Sequence, residues 1–136
     1  EFAEIGISWS TFAPVRSAPL PWVRMRELGI PVGLGTDGIR DLWSPYGDGD
    51  LLRVALDFAR VHGVRYDEDF TAVLHLATDQ AAGFVGRGAA GIEVGAPADI
   101  VLLDAQNPAD AIVRGPAREV VISGGRVVAE GGRVRV

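Results

Sequence analysis

"PLPWVRMRELGIPVGLGTD", residues 19–37, decides the fold. It reads as a helix, a tight turn and a strand that ends on a carboxylate. Pro21 suits a first helical turn, where its missing N–H costs nothing. Val23, Met25 and Leu28 are apolar at helical spacing, and Gly29 is a helix stop. Residues 30–35, "IPVGLG", are apolar without interruption. Such a run predicts a strand covered on both faces, as in a parallel sheet surrounded by helices. A second apolar piece, "IGISWSTF" at residues 5–12, predicts an earlier strand. Strand, helix and strand together make one α/β unit.

Downstream, "LLRVALDFARVHG" (residues 51–63) predicts a helix with Leu51, Val54, Ala55 and Phe58 on one face and Arg53, Asp57 and Arg60 elsewhere. Asp48 or Asp50 can cap its start, and Gly63 can end it. "YDEDFTAVLHLATDQAAGFVG" (residues 66–86) predicts one helix with acidic residues in its first turn, then a short one capped by Thr78. Asp67, Glu68 and Asp69 complement the helix dipole. Composition shifts near Gly86 toward glycine and β-branched residues. "ADIVLLDA" (residues 98–105) predicts a strand, and residues 118–136 a hairpin or meander turning at Gly124-Gly125.

The totals set limits. With 136 residues and 48% of them hydrophobic, the chain can bury a sizeable core. A net charge of -5 argues against nucleic acid as a partner, which calls for a basic patch. No apolar run approaches the roughly 18 residues of a membrane span, and the start lacks the basic-then-apolar plan of a signal peptide. The absence of cysteine excludes disulfides, thiol catalysis and thiolate metal sites, and it fits a reducing cytoplasm. The opening Glu1-Phe2 reads as a cloning scar and there is no initiating methionine, so a fragment of a longer protein is expected.

Residues 33–50, "GLGTDGIRDLWSPYGDGD", carry four aspartates, one tryptophan and one tyrosine. Asp37 is the sharpest candidate for chemistry. In parallel α/β folds functional side chains gather where strands end at their carboxyl edge. An Asx-turn or a cap of the next turn would place an aspartate there equally well. Asp48 and Asp50 read as turn and cap residues. Trp43 is either a wall of a binding pocket or a loop-packing ring, and Arg40 reads as a solvated side chain. His62 closes a helix, where the dipole favours it. His75 lies mid-helix and reads as packed or partly exposed.

Residues 29–59, followed by "GIEVGAPADIVLLDA" (91–105) and "VVISGGRVVAEGG" (120–132), resemble the C-terminal part of an amidohydrolase-superfamily enzyme, closest to the cytosine deaminase-like branch. Enzymes of that branch end their last barrel strand with Gly-x-Asp and continue Asp-x-Trp-x-Pro-x-Gly. Here Gly35, Asp37, Asp41, Trp43, Pro45 and Gly47 match. The resemblance extends from about residue 20 onward. It implies a (β/α)8 barrel fragment over residues 1–88, holding the last strand and helices, and half of a small β-sandwich over residues 89–136.

By the same resemblance Asp37 is a catalytic ligand of a divalent metal, zinc or iron, and Trp43 and Gly38 border the substrate. The implied reaction is attack of metal-bound hydroxide on a ring carbon of a pyrimidine-like or triazine-like amino-heterocycle. A cyclic-amide or other C–N hydrolase is the alternative within the superfamily, and a non-catalytic β-rich module the alternative outside it. A cytoplasmic homo-oligomer acting on a small molecule is expected. One departure bears on substrate: the branch commonly has an acid directly after the metal aspartate, where this chain has Gly38. The family's His-x-His, its other histidines and its catalytic Glu would lie upstream of residue 1, so the chain by itself is expected to be inactive. Torn from a closed barrel, it is expected to self-associate or to rearrange its first forty residues.

Overall fold

A computed structural model describes residues 2–86 and 91–135. Two short strands, β1 (Trp9–Thr11) and β2 (Val32–Leu34), pair in parallel with Trp9 opposite Val32 and Thr11 opposite Leu34. A parallel pair requires a long crossover. The crossover here contains α1 (Trp22–Glu27), which Pro21 precedes and Gly29, at φ +67°, follows. Bond Gly35 N–H to Thr11 O (3.0 Å) carries the ladder one residue past β2. The strand–helix–strand unit foreseen from the sequence is therefore present, with both strands shorter than their apolar runs.

All of β2 is buried, as an uninterrupted apolar strand should be. Gly33 faces α4 (Asp79–Phe84), and a Cβ there would stand 2.3 Å from the Phe84 ring. A side chain at 33 would displace that ring. Val32 and Leu34 take the opposite face by strand alternation and join the core formed with α2 (Leu51–Val61) and α3 (Asp67–Ala77). Phe58 lies at the centre, fully buried, edge-on to Trp22 (5.6 Å) and stacked on His62 (3.9 Å). The buried face of α2 is Leu52, Ala55, Phe58 and Ala59, with Leu51 and Val54 only partly covered. The stripe is thus rotated by one position from the expected one.

Asp50 caps α2, accepting from Leu52 N–H at 2.9 Å, and Gly63 ends it at φ +64°. Thr78 begins α4 without capping it by its side chain: its hydroxyl donates to Leu74 O (3.0 Å) and to Asp79 (2.8 Å). A hydroxyl one turn from a free carbonyl bonds backward before it can serve the next helix.

The C-terminal part is a four-stranded antiparallel sheet in chain order: β3 (Ile100–Leu103), β4 (Arg118–Ser123), β5 (Arg126–Glu130) and β6 (Arg133–Val134). Gly124 and Gly125, both at positive φ, form the β4–β5 turn, and Gly131 and Gly132 repeat the device before β6. Between β3 and β4 lies α5 (Pro108–Arg114), a helix that the sequence reading does not predict. Its signals are plain in retrospect: Asn107 caps Asp110 N–H at 2.8 Å, Pro108 opens the first turn, and Gly115 closes it in the left-handed region. α5 drives Ile112, fully buried, into the same core as Phe58 and Val73. The whole is mixed α/β with two small, open sheets. The boundary expected at residues 88 and 89 lies outside the described residues.

Asp110 supplies a test of this cap. The Arg114 guanidinium grips both its oxygens at 2.9 Å and Gln106 N–H donates to it at 2.9 Å, which hold its carboxyl down at about 2. A depressed carboxylate stabilises the fold above the ordinary value of 3.8, and that contribution fades as the pH falls from there toward about 2. A carboxyl NMR titration should place the Asp110 midpoint near 2. A midpoint near 3.8 would show that the grip on Asp110 is not made in solution.

Candidate active site

Parallel pairing sends β1 and β2 to the same edge, so the segments after Thr11 and Leu34 emerge side by side. Asp37 stands three residues beyond β2, exposed, in the left-handed region at φ +52°. Aspartate tolerates that conformation better than most residues, commonly because its side chain bonds nearby backbone. Here the carboxylate does not: it has no hydrogen bond or ion pair among the described residues. The Asx-turn explanation of Asp37 is therefore not what the geometry displays.

The other three aspartates of the loop are all engaged. Asp41 Oδ1 accepts from Trp43 N–H (2.8 Å) and Ser44 N–H (2.9 Å), an Asx-turn that closes the loop. Its backbone N–H donates to Ser44 O (3.0 Å), and Arg40 N–H donates to Tyr46 O (3.0 Å). Asp48 accepts from Asp50 N–H (3.1 Å) and pairs with Arg53 (3.1 Å). Asp50 caps α2 and pairs with Arg118. Local geometry thus accounts for Asp41, which sequence reasoning matched to a pattern without a physical role, and leaves Asp37 as the loop's free carboxylate.

Gly38 is half-buried, and the position of a Cβ there is filled by the Asp41 carboxylate, with Oδ2 at 1.7 Å. Any side chain at 38 would have to unseat the group that closes the loop. Trp43 projects from the loop and is 96% exposed. It is packed against nothing among the described residues, so loop packing does not account for it. Leu42 and Tyr46 are exposed beside it in sequence. Arg40, at φ +51°, donates from Nε to Gly47 O at 3.2 Å and so helps close the loop.

Neither histidine joins Asp37. His62 Nδ1 lies 3.0 Å from Phe58 O, and its buried, unpartnered Nε2 belongs to a ring set against Trp22 and Phe58. His75 Nδ1 meets Asp79 Oδ2 at 2.5 Å on an exposed helix surface. Among the described residues no three His, Cys, Asp or Glu side chains are grouped to hold a metal ion. Asp37 fits the part of one metal ligand, being unpartnered, anionic and at a strand's carboxyl end, and the described residues do not complete the set. A cavity of about 300 Å³ is lined by Gly29, Ile30, Pro31 and Val32 at the amino end of β2, away from Asp37.

The amidohydrolase family pattern matches residues 7–129. The chain belongs to the amidohydrolase family. Over 128 residues it is 30% identical to the N-isopropylammelide isopropyl amidohydrolase of Pseudomonas sp. (strain ADP), covering 93% of this chain and 32% of that protein. Among solved structures, the N-isopropylammelide isopropylaminohydrolase of Burkholderia multivorans superposes with a TM-score of 0.92 at 38% identity, over 98% of this chain and 34% of that one. The 5-methylcytosine deaminase of Klebsiella pneumoniae, liganded with 5-fluorocytosine, superposes with a TM-score of 0.71 at 28% identity, over 85% and 28%. The chain thus spans about a third of the length of these relatives. No described helix is long and apolar enough to cross a membrane.

The fit between Gly38 and Asp41 is open to test. Gly38→Ala should displace the Asp41 carboxylate and free the Trp43 and Ser44 amides, raising their hydrogen exchange while the α2 amides stay protected. Unchanged exchange at Trp43 and Ser44 would mean the carboxylate does not occupy that space.

Proposed function

We propose that this amidohydrolase chain is the C-terminal segment of a metal-dependent hydrolase that removes an amine from an amino-substituted pyrimidine-like or triazine-like ring. In this reading residues 1–88 carry the last strand and helices of a (β/α)8 barrel, and residues 89–136 one half of a β-sandwich. The observation that carries the proposal is the unpartnered carboxylate of Asp37 at the carboxyl edge of a parallel pair, in a loop whose other aspartates are all engaged. The substrate class rests on the relatives, two named for N-isopropylammelide and one for 5-methylcytosine.

Asp37 would hold a divalent ion, zinc or iron, together with histidines supplied from outside these residues. Such an ion, when bound, lowers the pKa of water toward neutrality. The chain's own contributions are then distinct. Asp37 orients the attacking water and accepts its proton, a role open to a carboxylate with no competing partner. Trp43, exposed and unpacked, offers a flat face to a flat ring. Gly38 gives the pocket edge a backbone surface and no acid, which favours rings other than cytosine itself. The water oxygen bonds to the ring carbon, Asp37 passes the proton it took to the nitrogen on that carbon, and the C–N bond then breaks to release the amine.

The test is amine release by the longest open reading frame containing these residues, with N-isopropylammelide and 5-methylcytosine as probes. Release from at least one is expected from the longer protein and none from the 136-residue chain alone. Turnover by the short chain, or a longer protein that neither binds nor cleaves either ring, would overturn the proposal.

A further inference from the structure

The acidic loop has two ends. One is β2, which runs straight into Asp37. The other is Asp50, and what holds Asp50 comes from the far side of the chain. Its Oδ1 accepts from Leu52 N–H at the start of α2 and is also bound by the guanidinium of Arg118, 68 residues away. Between these ends, residues 40–47 lean on one another: Arg40 on Tyr46 and Gly47, Asp41 on Trp43 and Ser44.

We infer that Arg118 is a positioning residue for the loop that begins at Asp37, acting through Asp50. Three observations support this. The pair is sheltered, with each side chain only 28% exposed, so it is less screened than the exposed pairs on α1 or α2. Arg118 is itself fixed: it opens β4, sits opposite Leu103 in the ladder, and donates a second bond to Pro116 O at 3.1 Å. Its base is anchored too, because α5, just before it, buries Ile112 completely among α2 and α3 residues. The guanidinium therefore presents a fixed donor to Asp50. Asp50 N–H in turn holds Asp48 at 3.1 Å, and Asp48 is tied to Arg53. The four-stranded sheet thereby sets where the loop ends, and so how Asp37 and Trp43 lie relative to each other.

The effect on turnover rests on the proposed hydrolase activity, whereas the effect on the loop does not. Two variants separate the ion pair from the helix cap. Arg118→Met removes the cation. Asp50→Asn removes the charge and keeps an oxygen for Leu52 N–H, since Asn caps as well as Asp. Both should speed hydrogen exchange at the Arg40, Trp43 and Ser44 amides several-fold, with α3 amides unchanged and Arg118→Lys closer to wild type. In the longer reading frame with N-isopropylammelide, Arg118→Met should lower kcat/KM by roughly 100-fold, the scale on which a misplaced site group acts, with the loss falling on kcat as well as KM and Arg118→Lys recovering part of it. Loop exchange unchanged in both variants would overturn the inference, as would loosening in Arg118→Met that spreads to α3 while Asp50→Asn behaves as wild type. If the loop loosens and the longer protein cleaves no ring, the hydrolase proposal fails and the positioning role stands.

Discussion

Two parallel strands cannot be joined by a tight turn, and that constraint organises the N-terminal half of this chain. The crossover from Thr11 to Val32 has to leave the sheet, run through α1 and return, so both strands end at the same edge. Everything of chemical interest follows from this. Asp37 stands at that edge because β2 points there, and the loop beyond is long because α2 must come back to cover Val32 and Leu34. Burial of β2 on both faces fixes the strand against slippage, with Phe84 seated over Gly33 on one side and the Phe58 core on the other. A one-residue shift would bring a side chain into the space that Gly33 leaves for Phe84.

The second constraint lies in the loop itself, where four carboxylates share a short segment of an acidic chain. Three are neutralised in effect by donors: backbone N–H groups for Asp41, Arg53 for Asp48, and the α2 terminus with Arg118 for Asp50. These contacts shape the loop and cost it little, since each carboxylate remains partly in water. Asp37 is left with its charge uncompensated in the loop that also carries the exposed Trp43. An anion held in a left-handed backbone conformation without a local partner is what motivates the metal role proposed for Asp37.

Much of this was legible in the sequence, and the misses have physical causes. The strand end that precedes Asp37, the α1–β2 turn and the Gly124-Gly125 hairpin follow from local rules that tertiary structure did not override. The rotation of the α2 stripe, from Leu51 and Val54 toward Leu52 and Ala59, depends on where α3 and α5 press, which periodicity alone does not contain. Helix α5 was missed although Asn107, Pro108 and Gly115 announce it, because a seven-residue helix in a β-rich segment has too short a pattern to stand out. The Arg118–Asp50 pair had no sequence signal at all. It joins residues far apart in the chain, and an arginine opening a strand looks like any solvated one.

The central claim is that Asp37 is free because it is a metal ligand. Metal analysis of the longer reading frame, purified without chelator, tests it most directly when wild type is compared with Asp37→Asn. The account predicts about one zinc or iron ion per chain in the wild type, the content of a mononuclear catalytic site. It predicts a loss of affinity in Asp37→Asn at least as large as the roughly 10- to 100-fold that follows removal of a group that merely supports a ligand. An Asp37→Asn protein that keeps its metal as tightly as the wild type would contradict it.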